Sequence, residues 1–135
     1  MEVLTLPCYS HWQVIESWLS TLQDQNIDWD RTGEVLGIVV NELIQVKSCV
    51  NEHDLGKTHP DLTGQLDAVG AAMEEEWSNP LWGLNPNAGP NTDVPKDSPA
   101  YQASLVNARQ LALTIYNRVN TAMRAVDAPT VFGPR

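Results

Sequence analysis

The chain carries little with which to do covalent chemistry. Its 135 residues include three histidines and two cysteines, and no histidine stands at a recognisable motif spacing from a serine or cysteine. No Gly-x-Ser-x-Gly elbow, phosphate-cradling glycine loop or dinucleotide fingerprint occurs, so those catalytic classes have no signature here. No apolar run reaches the ~18 residues that a membrane-spanning helix requires. Basic residues are scarce, eight against seventeen acidic for a net charge of −9. They are too few and too scattered to form a nucleic-acid-binding stripe. The opening residues, MEVLTLPCYSHW, lack a basic n-region and an apolar h-region, so no secretory signal is expected. With a cytoplasmic location expected, Cys8 and Cys49 read as reduced, partly buried thiols, with one disulfide between them as the alternative that sequence alone does not show.

The scarcity of bases is uneven. Residues 1–95 hold three basic and fifteen acidic side chains, whereas residues 96–135 hold five basic and two acidic. An acidic body repels nucleic acid and anionic membrane, which carry the same sign, and attracts a basic protein surface. The expected partner is therefore another protein, with neither nucleic acid nor membrane involved.

What is present is helical periodicity. Ser10 followed by Gln13 reads as a capping box, after which Ile15, Trp18, Leu19 and Leu22 recur at helical spacing. Asp30 or Thr32 can cap a second helix. Its apolar set, Val35, Leu36, Val39, Val40, Leu43, Ile44, Val46 and Val50, covers more than one face and predicts the most buried element. Asn51–Pro60 is a polar turn with Gly56 as a stop signal and Pro60 as a start signal. Leu62, Leu66, Val69 and Met73 mark a third helix. Its Gly64 and Gly70 each cost ~1 kcal/mol relative to alanine, unless close approach to Gly33 and Gly37 of the second helix uses them.

Ser98 as N-cap and Pro99 at the first helical position open a last helix. Tyr101, Leu105, Ala108, Ala112, Ile115, Val119, Ala122 and Val126 then repeat as a heptad seam. Pro129 is expected to end it, leaving the tail TVFGPR. The expected fold is all-α, an antiparallel four-helix bundle with helices at about 10–25, 31–51, 61–77 and 99–127. Residues 1–135 form a single domain on this reading, with 78–98 an ordered loop or spacer and 128–135 a tail. The seam of 99–127 also offers a route to a homo-oligomer.

Two constellations bear on metals. Cys49, His53 and His59 supply zinc-type donors, with Asp54 or Asp61 as a fourth. Their spacing lacks the close ligand pairs of a zinc site, so no metal or cofactor is expected. Gly33-Glu34, Asn41-Glu42-Leu43 and Gln65-Leu66-Asp67 distantly resemble the all-α nucleotide pyrophosphohydrolases of the MazG type. That family sets Glu-x-x-Glu on one helix and Glu-x-x-Asp on the next, so that carboxylates converge on magnesium. The matching positions read Glu42-x-x-Gln45 and Gly64-x-x-Asp67, with at least two of the four carboxylates missing. The resemblance implies magnesium-dependent nucleotide hydrolysis as the alternative function.

The strongest functional signal is the stretch from Glu74 to Pro99, which holds two of the five tryptophans and five of the nine prolines. Long irregular loops in small domains tend to be functional or disordered. Glu74, Glu75 and Glu76 close the third helix, where the helix dipole disfavours each by ~0.3–1 kcal/mol. Trp77 and Trp82 follow, with Leu84 nearby, as aromatic anchors beside steering charge. Glu74, Glu75, Glu76, Trp77, Trp82 and Leu84 are the candidate partner-binding residues; no catalytic residue is assigned. The competing reading has the tryptophans capping the bundle and the glutamates pairing with Arg109 and Arg118. The expected function is a non-enzymatic interaction module. It acts as an assembly or structural subunit, or as an acidic inhibitor or adaptor of a basic surface, in the manner of a small regulatory or phage-type protein.

Overall fold

A computed structural model describes residues 7–77 and 97–132. The fold is all-α, and no strand occurs among the described residues. Helix α1 spans Pro7–Ser20, a 3-10 turn Thr21–Gln23, α2 Trp29–Glu52, α3 Leu55–Thr58, α4 Leu62–Trp77, α5 Pro99–Arg124 and α6 Ala128–Val131. Helix α1 lies mainly along α2, and α4 mainly along α5. The two pairs meet between α2 and α4, and where the 3-10 turn packs on α5. Among the described residues no helix is long and apolar enough to cross a membrane.

Several helix ends differ from expectation for local reasons. Helix α1, Pro7–Ser20, already contains Ser10, so no capping box opens it at that residue. Ser10 and Gln13 lie exposed inside the helix. Its end tightens into the 3-10 turn, and Asp24 then accepts from the Asn26 amide at 2.9 Å. The cap of α2 is neither Asp30 nor Thr32. Asp28 accepts from the Arg31 amide at 2.7 Å, while the Thr32 hydroxyl donates to the Asp28 carbonyl at 2.7 Å and is buried.

The turn after α2 is made by Asp54, whose φ of 53° lies in the left-handed region that a short polar side chain tolerates. Gly56 therefore does not act as a stop; it lies inside α3, which buries Leu55. At α5 the expected start holds, with the Ser98 hydroxyl accepting from the Tyr101 amide at 3.2 Å. The helix ends at Arg124, short of 127, and Pro129 lies in the first turn of α6. That short helix carries Phe132 into the core against Trp12, ring centroids 5.6 Å apart. Residues 128–132 are thus not a free tail.

The heptad seam is buried within the chain at Ala108, Ala112, Ile115 and Val119 of α5 and at Val126 just beyond its end. It meets Leu62, Leu66, Val69 and Met73 of α4 and Val35, Val39, Leu43 and Val46 of α2 in one core. Each fully buried aliphatic or aromatic side chain contributes ~1.5–3 kcal/mol of transfer free energy. Two of the four glycines expected to let α2 and α4 approach do so. A Cβ on Gly70 would meet Leu43 at 3.4 Å, and one on Gly33 would meet the Trp77 ring at 3.4 Å. Gly37 and Gly64 have no neighbour among the described residues within 4 Å of that position.

The cysteines take the disulfide alternative, which corrects the reduced-thiol reading. Cys8 and Cys49 form a disulfide, their Cα atoms 5.5 Å apart, joining the start of α1 to the end of α2. Both are buried. One cysteine in each of two segments far apart in sequence gives no pairing signal until the helices are laid side by side. Nearby, His11 Nδ1 of α1 lies 2.6 Å from Glu42 Oε2 of α2, so covalent and polar ties hold the same helix pair.

Candidate functional site at the α2–α4 groove

The C-terminal turn of α4 separates the three glutamates onto two flanks. Glu75 and Glu76 face α5, where Arg118 Nη2 donates to Glu75 at 2.6 Å and Nη1 to Glu76 at 2.9 Å. Donation to Glu75 first, and to Glu76 second, raises the Arg118 guanidinium above its already high ordinary value. This clamp relieves the dipole conflict at the helix end. Of the two arginines expected to pair with the glutamates, Arg118 alone does so among the described residues. The Arg109 Nε is buried without a hydrogen-bond partner among them.

Glu74 lies on the opposite flank. With Met73 and Trp77 it forms one wall of a groove of about 300 Å³ whose other side is Gly33, Leu36, Gly37 and Val40 of α2. The edge of the Trp77 ring lies over the bare Cα of Gly33, and its centroid is 6.1 Å from that of Trp29, inclined by 55°. Trp77 is therefore anchored on α2, yet it remains 41% exposed. Val40 is 37% and Ile44 54% exposed, and both continue the apolar strip along α2.

Of the residues singled out in the sequence, the structure brings Glu74 and Trp77 together at this groove and diverts Glu75 and Glu76 to Arg118. Trp82 and Leu84 lie outside the described residues. The sequence reading missed Gly33, Gly37, Val40, Ile44 and Met73 as parts of the same surface. It had assigned Val40 and Ile44 to the interior, whereas both face solvent. The signal was present: an apolar set covering more than one helix face is wider than an amphipathic helix needs.

The metal candidates do not assemble. Cys49 is committed to the disulfide, and His53 and His59 cap the ends of two different helices. The carboxylates of the pyrophosphohydrolase resemblance are engaged separately, Glu42 with His11 at 2.6 Å and Asp67 with Lys47 at 3.1 Å. Among the described residues no three His, Cys, Asp or Glu side chains are grouped to hold a metal ion.

A second cleft of about 590 Å³ lies between α1 and α5. Its floor residues Trp12, Leu19 and Met123 are buried, so an occupant meets mainly the rim of Glu16, Asn120, Arg124 and Asp127. Among the described residues its lining includes Ser20, Glu16 and Asp127 but no histidine or cysteine. Comparison with protein-family models, curated proteins and solved structures finds no match to this chain.

Proposed function

We propose that the chain is a non-enzymatic, all-α interaction module that binds a basic protein surface through the Trp77–Glu74 edge of the α2–α4 groove. The observation carrying this reading is the half-exposed Trp77. Its ring rests on Gly33 and Trp29 yet keeps 41% of its surface exposed, beside an exposed glutamate. A preorganised aromatic with an adjacent charge loses little conformational freedom on binding, which is the usual make-up of an interface hot spot.

The inhibitor or adaptor form is favoured over an assembly subunit. Docking of neighbours by the C-terminal tail requires that tail to be free, and Phe132 is buried against Trp12. Cytosolic thiol pools keep cysteines reduced. The disulfide-bonded form therefore belongs to an oxidising setting, and the cytoplasmic expectation applies to the reduced chain.

The test is retention of partners from the native host on the immobilised chain at low and high salt. The reading expects a basic protein retained at low salt and released at high salt, and lost when Glu74→Gln and Trp77→Ala are combined. Retention indifferent to both salt and the double substitution would contradict it.

A further inference from the structure

Resting on that reading of the chain as a protein-binding module, we propose that the α2–α4 groove receives a single amphipathic helix from a basic partner. The helix lies along α2, its small and aliphatic residues against Gly33, Gly37, Val40 and Ile44 and its lysine or arginine side chains over Glu74.

Shape selects the helix. Gly33 to Ile44 covers three turns, about 16 Å of helix at the standard rise. Both walls are helices whose backbone groups bond within themselves, so no strand edge is on offer for an extended peptide to join. A polyproline ligand needs a row of aromatic slots, whereas the groove wall opposite Trp77 is glycine, leucine and valine. Among the described residues nothing lies within 4 Å of a Cβ position at Gly37, which leaves the centre of the groove between α2 and α4 open to an approaching helix. The exposed Val40, Ile44 and Trp77 supply apolar contact on both sides of that opening.

Charge selects the partner. Helix α4 carries Asp67, Glu74, Glu75 and Glu76 and no base. On α2, Arg31 is tied to Glu34 at 2.9 Å and Lys47 to Asp67 at 3.1 Å. Glu74 therefore stands at the groove without a cation among the described residues. A second copy of the chain would bring another net charge of −9 against it. A basic helix instead gains steering and a salt-sensitive on-rate.

The experiment uses the full-length, isotope-labelled, disulfide-bonded chain and a designed peptide of about four helical turns. The peptide has alanine and leucine on one face and lysine elsewhere; a counterpart carries glutamate for lysine. Gly37→Gln fills the groove at a position with no neighbour to displace among the described residues, and Gly64→Gln makes the same change at a likewise open site elsewhere on α4. Both variants are expected to melt no lower than the parent.

The lysine peptide is expected to shift amides of residues 33–44 and 70–77. Its affinity should fall by about tenfold or more in Gly37→Gln, as for loss of a central contact, and should be unchanged in Gly64→Gln. The glutamate peptide is expected not to bind. Shifts mapping elsewhere, equal affinity in Gly37→Gln, or no binding of the lysine peptide would overturn the proposal. So would self-association of the chain that Gly37→Gln abolishes, since the occupant would then be a second copy. If binding survives Gly37→Gln but weakens with salt and in Glu74→Gln, the helix-in-groove proposal fails while the interaction-module reading stands.

Discussion

Reducing the Cys8–Cys49 disulfide should remove a large share of the fold's stability without removing any side chain. The bridge joins residues separated by 41 positions. In the chain-entropy treatment a cross-link of that span restricts the unfolded chain by about 4 kcal/mol, between the values for 15- and 100-residue loops. Domains of this size have a total stability of ~5–15 kcal/mol, so the loss is a quarter or more of the whole. It corresponds to a fall in melting temperature of roughly 10–15 °C for a chain of this length. Both sulfurs are buried, so reduction leaves the thiols in place and isolates the cross-link from any cavity. The assay is urea unfolding of the oxidised and the fully reduced chain, followed by circular dichroism. Coincident curves would refute the reasoning, as would two titratable thiols in the untreated native protein.

The remaining predictions concern packing, capping and chemistry. Phe132→Ala is expected to cost ~3–5 kcal/mol, the usual loss for a fully buried aromatic. Urea midpoints report it, and a loss within error would place the C-terminal segment outside the core. Asp28→Ala should cost about 1 kcal/mol by leaving the first turn of α2 without its cap, whereas Asp30→Ala should change the melt little. Incubation with nucleoside triphosphates and magnesium is expected to give no turnover. Hydrolysis that disappears in Glu42→Gln would instead restore the pyrophosphohydrolase reading.

The all-α class and the start of α5 were legible because they rest on local rules: periodicity, a serine cap and a proline behind it. The N-cap of α2 was less legible, because Asp28, Asp30 and Thr32 are all competent acceptors and only the helix axis selects among them. Gly56 looked like the stop after α2, yet Asp54 takes the left-handed position, and Leu55 beside it is buried. Phe132 was hidden behind Pro129, which reads equally as the end of one helix or the first turn of the next. At the candidate site, composition pointed to Glu74 and Trp77 as adjacent acidic and aromatic residues. It could not divide three consecutive glutamates between two flanks, because that depends on where Arg118 stands across the α4–α5 contact. The groove itself is a tertiary object: Gly33 and Trp77 are far apart in sequence and meet only when α4 lies against α2.

The most direct test of the account is the association rate of the intact chain with its retained basic partner, measured against salt concentration for the parent and for Glu74→Gln. The account predicts a rate that falls as salt rises, with Glu74→Gln slower at low salt and the two converging at high salt. A rate independent of salt and identical in both proteins would contradict an acidic, Trp77-centred interface.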